Sequence, residues 1–463
     1  MKQAFRFHTL VMIFSVVSLV AVATWILPGG TYTRAVKNGR TLVVPGSFTQ
    51  VPSNPQGIGA LLMAPVKGFI EAAHIIAFVL LIGGTFKVLE KTGAVTAAVQ
   101  SMAFTFSKRP ELQKFFIPVT MTVFSIGGAV FGMAEETMPF VLIFVPLALS
   151  LGYDSLVGTA IPFLGAAAGF AGSVLNPFTV GIAQGIAELP LYSGIEYRMI
   201  IWVLSTTSMI TFIMLYARRI KAAPEQSPVY DLDKERKSNL HLDESQHAGM
   251  SMPQRVVLAG FGGAMVFLIV GVLNFGWYIN EIAALFLGLG IASGLLGRLS
   301  LSATAEAFKE GARDMVGVAL IIGCARAILV IATDGKILDV MLYGLASVIS
   351  GLHPILAAQA MFVTQGIINF FVHSGSGQAA LTMPVMAPLA DVVGISRQTA
   401  VLAFQFGEGW INPILPTSGV TMGVLGLAGI PWERWFRWML PAQVYFFFLA
   451  LLLLIPPFLF HYH

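Results

Sequence analysis

Gly132-Met133-Ala134-Glu135-Glu136-Thr137-Met138-Pro139 and His373-Ser374-Gly375-Ser376-Gly377-Gln378 are two polar, glycine-bearing knots, each set midway along an apolar stretch, 112–150 and 355–393. Each stretch is too long for one membrane helix and too short for two crossings. Both read as re-entrant hairpins, whose broken backbone a membrane tolerates only where it is buried in protein or lines a wet cavity. The knots sit inside a longer duplication. Leu81-Ile82-Gly83-Gly84, Thr92-Gly93, Thr137-Met138-Pro139, Pro146-Leu147-Ala148, Gly152 and Asn176-Pro177 appear in that order in the first half. Ile321-Ile322-Gly323, Thr333-Asp334-Gly335, Thr382-Met383-Pro384, Pro388-Leu389-Ala390, Gly394 and Asn412-Pro413 repeat the order roughly 240 residues later. No single match counts for much in a chain rich in glycine, proline and leucine. The shared order and near-constant offset do, and such a repeat in a membrane chain points to a transporter.

With 56% hydrophobic and 11% charged residues, the chain carries less than half the charge of a soluble domain. Nine full crossings are expected, near 8–27, 70–90, 155–187, 198–217, 256–275, 281–298, 315–332, 396–428 and 437–458. The first is too long for the apolar core of a cleaved signal, and no small-residue cleavage site follows it. Cys324 stands alone, which gives neither a disulfide framework nor a metal cluster. The net charge of +4 fits basic cytoplasmic loops, including Arg218, Arg219, Lys221, Arg434 and Arg437, rather than nucleic-acid binding. That bias places the N terminus in the cytoplasm and the C terminus outside, although Arg34, Lys37 and Arg40 in the first outer loop run against it. On this drawing the two hairpins enter from opposite sides, so the repeats are inverted. The organisation is then 1–220, first repeat; 221–253, a polar, solvated cytoplasmic linker; 254–280, a connecting transmembrane helix that supplies the inversion; and 281–463, second repeat. Ser302 to Arg313 suits a helix on the membrane surface, with Ala305, Phe308 and Ala312 toward the apolar side. Gly29 to Pro55, turning at Asn38-Gly39, suits a small β-hairpin outside the membrane.

Chemistry is expected at the interruptions. Glu135 and Glu136 lie amid apolar residues at a depth where an ionised group costs about 2.5 to 3.5 kcal/mol, and are functional candidates unless one merely caps a half-helix or pairs with a basic residue. Thr137 adjoins them. At the second knot Asn369, Ser374, Ser376 and Gln378 offer polar groups, and a half-helix N terminus there suits an anion or carboxylate, although a simple turn with serine capping would use the same residues. The crossing after each hairpin also breaks, at Ser173 and Asn176-Pro177 in one repeat, and at Glu408, Asn412-Pro413, Thr417 and Ser418 in the other. Proline and glycine free backbone carbonyls for a cation or substrate, although a plain kink would use the same residues. Glu136, Asn176, Ser376 and Asn412 are the candidate ligands of a coupling cation, Na+ or H+. Arg326 is the one basic residue deep in a crossing. It pairs with a carboxylate, binds substrate or snorkels to an interface. His373 is a proton carrier or a hydrogen-bonding turn residue.

Enzyme signatures fail. There is no His-Glu-x-x-His, no Walker lysine, and no partner motif for Tyr153-Asp154. No cofactor is expected. A channel would want a continuous polar stripe, which the sequence lacks.

Gly132–Phe140, Gly172–Phe178, Asn369–Pro384 and Thr417–Gly419 resemble the C4-dicarboxylate anaerobic carrier family, and within it the YfcC-like branch thought to hold basic amino acid antiporters. The resemblance covers essentially the whole chain, with His373 and Asn412-Pro413 as departures from the family's pattern. It implies the ion transporter superfamily fold: an all-α polytopic membrane protein of two inverted repeats, each with a re-entrant hairpin and a broken transmembrane helix. It further implies a homodimer in the bacterial cytoplasmic (inner) membrane, working by an elevator movement. The function expected is secondary active transport, by symport or antiport, of a small charged metabolite, most naturally an amino acid such as arginine or ornithine. A C4-dicarboxylate or other small carboxylate is the alternative cargo, and a channel or an intramembrane enzyme are the alternatives of another class.

Overall fold

The structure, a computed structural model, describes residues 9–37, 40–239, 250–277 and 279–460. The turn at Asn38-Gly39 lies outside them. Ten described helices are long and apolar enough to cross a membrane, as segments must be that satisfy every backbone group internally. The first half runs α1 (Thr9–Ile26), α2 (Ile58–Glu71), α3 (Ala73–Lys91), α4 (Ala94–Lys108), α5 (Pro110–Phe131), α6 (Met138–Ser150), α7 (Ser155–Gly172), α8 (Val180–Ile186) and α9 (Ile195–Ala222). Between α1 and α2 lie two antiparallel ribbons, β1 (Gly29–Thr31) with β4 (Thr49–Val51) and β2 (Arg34–Lys37) with β3 (Arg40–Val43). After α10 (Tyr230–Asn239) and α11 (Met252–Phe275) the second half runs α12 (Ile279–Leu296), α13 (Leu301–Asp314), α14 (Val316–Asp334), α15 (Leu338–Ile349), α16 (Pro354–Phe371), α17 (Gly375–Val393), α18 (Arg397–Gly409), α19 (Gly419–Ala428) and α20 (Trp432–Leu453).

The halves correspond helix by helix, α1 with α12 through α9 with α20. Their packing corresponds too, because α2 crosses α14 and its counterpart α13 crosses α3. Both crossings are glycine on glycine. A Cβ added at Gly68 of α2 would stand 2.3 Å from the carbonyl oxygen of Gly323, and one at Gly311 of α13 would stand 2.2 Å from that of Gly83. The landmarks Gly83 and Gly323 are therefore the points where two helices meet backbone to backbone.

α5 and α6 run antiparallel along their length. Gln113 Nε2 donates to the Leu151 carbonyl at 3.0 Å, Phe116 stacks on Phe144 with centroids 6.0 Å apart, and Phe124 meets Phe140 edge to face at 5.0 Å. α16 and α17 do the same through Gln378 Nε2, which donates to the Gln365 carbonyl and Oε1 at 2.9 Å. The arms α5 and α16 are long enough to count among the ten spans, which the sequence reading of nine crossings left out. Pairing with a returning arm makes them hairpins. The feet of the hairpins lie at opposite ends of α9. Asp154, just past hairpin α5–α6, accepts from Tyr216 Oη near the C-terminal end of α9, while Gln398, just past hairpin α16–α17, donates to the Ser193 carbonyl at its N-terminal end. The 28 residues of α9 span about 42 Å, so the tips approach one another from opposite ends of the bundle.

Two expectations need correction. Residues 224–239 are folded rather than a solvated linker: Asp233 is buried and accepts from Ser155 N at the start of α7, Arg236 Nη2 donates to the Gly429 carbonyl, and Asp231 pairs with Arg434. Polarity there reflects groups that satisfy helix ends across both halves. On α13 the buried residues are Ala307 and Gly311, with Phe308 against Gly84, while Ala305 is exposed. The apolar side is rotated from the one expected because it follows the close crossing with α3.

The cavity between the hairpin tips

Each tip is shaped by a local conformational demand. α5 ends at Gly132, whose φ of +72° is left-handed and suits glycine, and an added Cβ would lie 2.7 Å from the Asn176 amide. The chain then makes one tight helical turn, Glu135–Thr137, in which Thr137 Oγ1 donates to the Ala134 carbonyl at 2.6 Å and Ala134 N donates to Glu136 Oε2 at 2.9 Å. Glu136 is thereby tied back onto its own loop. At the other tip, Ser374 caps α17 by accepting from Gly377 N at 3.2 Å and lies 3.3 Å from the Ser376 hydroxyl. His373 Nε2 hydrogen-bonds Thr417 Oγ1. An added Cβ at Gly375 would reach the Thr179 side chain at 2.5 Å and Glu408 Oε1 at 3.4 Å, so this tip presses on both broken helices.

The breaks face the tips. α7 stops at Gly172, and Ser173, at φ +45°, lies 3.2 Å from the Thr179 hydroxyl. Asn176 Oδ1 accepts from Phe178 N, while its buried Nδ2 has no hydrogen-bond partner. In the second half, Glu408 is 2% exposed; its Oε1 accepts from Asn412 Nδ2 at 2.8 Å and its Oε2 has no partner. Asn369 Nδ2 donates to the carbonyls of Gly407 and Glu408 and to Asn412 Oδ1, at 3.3, 3.2 and 3.3 Å, with its own Oδ1 unpartnered. Ser418 caps α19 by accepting from Thr421 N. Buried polar atoms without partners are costly, about 1–3 kcal/mol each, and call for a ligand or water.

The tips and breaks enclose a cavity of about 280 Å³. Glu135, Glu136, Thr137, Ser374, Ser376, Glu408, Asn412 and Ser418 line it. Asn369 and Ser173 stand behind the breaks they hold, Asn176 behind Gly132, and Thr417 behind His373. Gln378 is elsewhere, bound to Gln365 inside its own hairpin. Of the four candidate cation ligands, Glu136, Ser376 and Asn412 line the cavity and Asn176 does not. No cluster of three or more His, Cys, Asp or Glu residues able to hold a metal occurs among the described residues. His373 lines the cavity rather than being only a turn residue, and Thr179, Thr421, Phe163 and Phe170 complete the wall. Aromatic residues inside apolar runs carry no sequence signal of their own. Thr421 could have been found, three residues after Ser418 at a helix start. Three carboxylates meet here, with Glu135 within electrostatic reach of Glu408. Arg326, outside the lining, pairs with Glu71 at 3.0 Å.

The sequence profile of the C4-dicarboxylate anaerobic carrier, DcuC, matches residues 7–458. The chain belongs to that family. It is 37% identical over 93% of its length, and 92% of the relative's, to the Escherichia coli (strain K12) protein named "Putative basic amino acid antiporter YfcC". It is 30% identical over 95% of its length, and 94% of the relative's, to an uncharacterised protein of Haemophilus influenzae (strain ATCC 51907 / DSM 11121 / KW20 / Rd). Among solved structures, the YdaH transporter of Alcanivorax borkumensis matches at TM-score 0.42 and 16% identity, covering 97% of both chains. MtrF of Neisseria gonorrhoeae, described with a class of antimetabolite efflux pumps, matches at TM-score 0.43 and 18% identity over 97% of this chain and 95% of that one. Membership of the carrier family makes this multi-pass membrane protein a transporter.

Proposed function

We propose that the chain is a secondary active transporter that carries a small amino acid with a basic side chain, such as arginine or ornithine, across the bacterial cytoplasmic membrane, coupled to sodium or protons. The observation that carries this reading is the Glu408 carboxylate: it lines the cavity, is buried, and has one oxygen without a partner. An ammonium, a guanidinium or a coupling cation would satisfy it. Glu135 and Glu136 add two more carboxylates and, apart from His373, no basic side chain among the described residues lines the cavity. The negative character thus favours a cationic partner. The name of the Escherichia coli relative agrees with this choice.

A small carboxylate as cargo has its own support. The N terminus of α17 opens on the cavity, and the family is named for dicarboxylates. On that reading the glutamates hold coupling cations. In either case the two hairpins and two broken helices move together as an elevator against the α2–α14 and α3–α13 crossings, in a homodimer. Uptake by proteoliposomes separates the two cargoes. Arginine, ornithine or lysine should compete better than succinate or fumarate at neutral pH, whereas strong competition by succinate alone would overturn the basic amino acid reading.

A further inference from the structure

Arg326 sits about midway along α14, at least 8 residues and so about 12 Å from either end. Its Nε donates to Glu71 Oε2 at 3.0 Å, which leaves Nη1 and Nη2 without hydrogen bonds among the described residues. The pairing is built into the backbone. Gly68 of α2 lies against Gly323 and Ala327, so that one turn later Glu71 comes level with the guanidinium. The side chains of Arg326 and Glu71 are 32% and 44% exposed. A partly open charged pair in mid-span is tolerated only where it faces water or the bundle interior, since lipid would leave both charges unsolvated. The surroundings agree: Cys324 and Ala325 belong to the apolar cluster against which Phe370 and Phe371, at the end of α16, pack, and Arg326 lies within electrostatic reach of both His74 on α3 and the cavity residue His373.

We propose that Arg326 is a carboxylate-binding residue in a water-filled vestibule beside the α16–α17 tip, and that Glu71 is a positioning residue that holds Nε and leaves the guanidinium fork free. A planar fork with two free nitrogens matches a carboxylate in bidentate fashion. The carboxylate is common to amino acids and dicarboxylates, so the inference rests on the transport reading but not on the choice between its cargoes.

The test has two arms. With Cys324 replaced by Ala and His74 by Cys, the purified protein is modified by an anionic and by a cationic methanethiosulfonate reagent. Arg326→Gln should slow the anionic reagent relative to the cationic one roughly threefold or more, and Arg326→Lys should restore much of the ratio. Failure of both reagents to react, or an unchanged ratio, would overturn the vestibule. In proteoliposomes, Arg326→Gln should raise the half-inhibitory concentration of arginine about tenfold while leaving agmatine, which lacks the carboxylate, unchanged, with the same melting temperature. Equal losses for both ligands would overturn carboxylate binding. Should neither ligand compete in the wild type, the proposed cargo fails while the reagent ratio still decides the vestibule.

Discussion

Replacing Gly68 or Gly311 by alanine should separate the two helix crossings on which the halves are joined. The added Cβ would lie 2.3 Å from the Gly323 carbonyl oxygen in one case and 2.2 Å from the Gly83 oxygen in the other. Ordinary contact begins at 3.4 Å, so the shortfalls are 3.4 − 2.3 = 1.1 Å and 3.4 − 2.2 = 1.2 Å. The atoms met are backbone and cannot rotate aside, which places each variant near the upper end of the ~1–3 kcal/mol range for overpacking. The better helix propensity of alanine returns about 1 kcal/mol, for a net loss of about 2 kcal/mol. Gly262 in α11 supplies the control, with nothing within 4 Å of an added Cβ; Gly262→Ala should stabilise by about 0.5–1 kcal/mol. The contrast of about 3 kcal/mol is more than a hundredfold in the unfolding equilibrium. Unfolding in mixed micelles titrated with sodium dodecyl sulfate, followed by tryptophan fluorescence, should show the two crossing variants shifted together and opposite to the control. If Gly68→Ala stabilises as Gly262→Ala does, the crossing is not the close contact described and the correspondence of the halves loses its main packing support.

Gly132→Ala and Gly152→Ala both place alanine at positive φ, +72° and +84°, at a cost of about 1–2 kcal/mol; only the first also meets Asn176, and only the first should slow uptake tenfold or more, so equal uptake by the two would remove the first tip from the site. Asp231, outside the membrane-spanning helices, is held down to about 2 by its hydrogen bond and charge contact with Arg434. A depressed carboxylate contributes stability above its unfolded value of about 3.9 and loses it as pH falls toward 2. The unfolding difference between wild type and Asp231→Asn should therefore be present at pH 6, under about 1 kcal/mol for so exposed a pair, and vanish between about pH 4 and 2; a difference that grows on acidification would contradict the pairing.

Much of the fold was legible because glycine and proline mark backbone events. Gly83 and Gly323 stand at the crossings, Pro139 and Pro384 in returning hairpin arms, and Asn176-Pro177 and Asn412-Pro413 at the breaks. The hairpin tips were visible because carboxylates and hydroxyls are rare amid apolar residues. Depth could not be read the same way. α2, α4 and α15 were not foreseen, since helices of 14, 15 and 12 residues fall short of a crossing and their apolar residues differ little from loop flanks. Polarity misled at 224–239, where Asp231, Asp233 and Arg236 serve contacts across the halves. Adjacent candidates were also inseparable in sequence: Gln378 and Ser376 are two residues apart, yet one packs inside the hairpin and the other lines the cavity.

The central claim is that Glu408, at the meeting of both tips and both breaks, binds the cargo or its coupling cation. Equilibrium binding of labelled arginine to the purified protein, wild type against Glu408→Gln, in sodium-containing buffer at neutral pH, tests it most directly. The account predicts saturable binding in the wild type that is weakened at least tenfold in the variant, as expected when a charge-assisted hydrogen bond worth about 1.5–3 kcal/mol is lost. Saturable binding of equal strength in both proteins would contradict it.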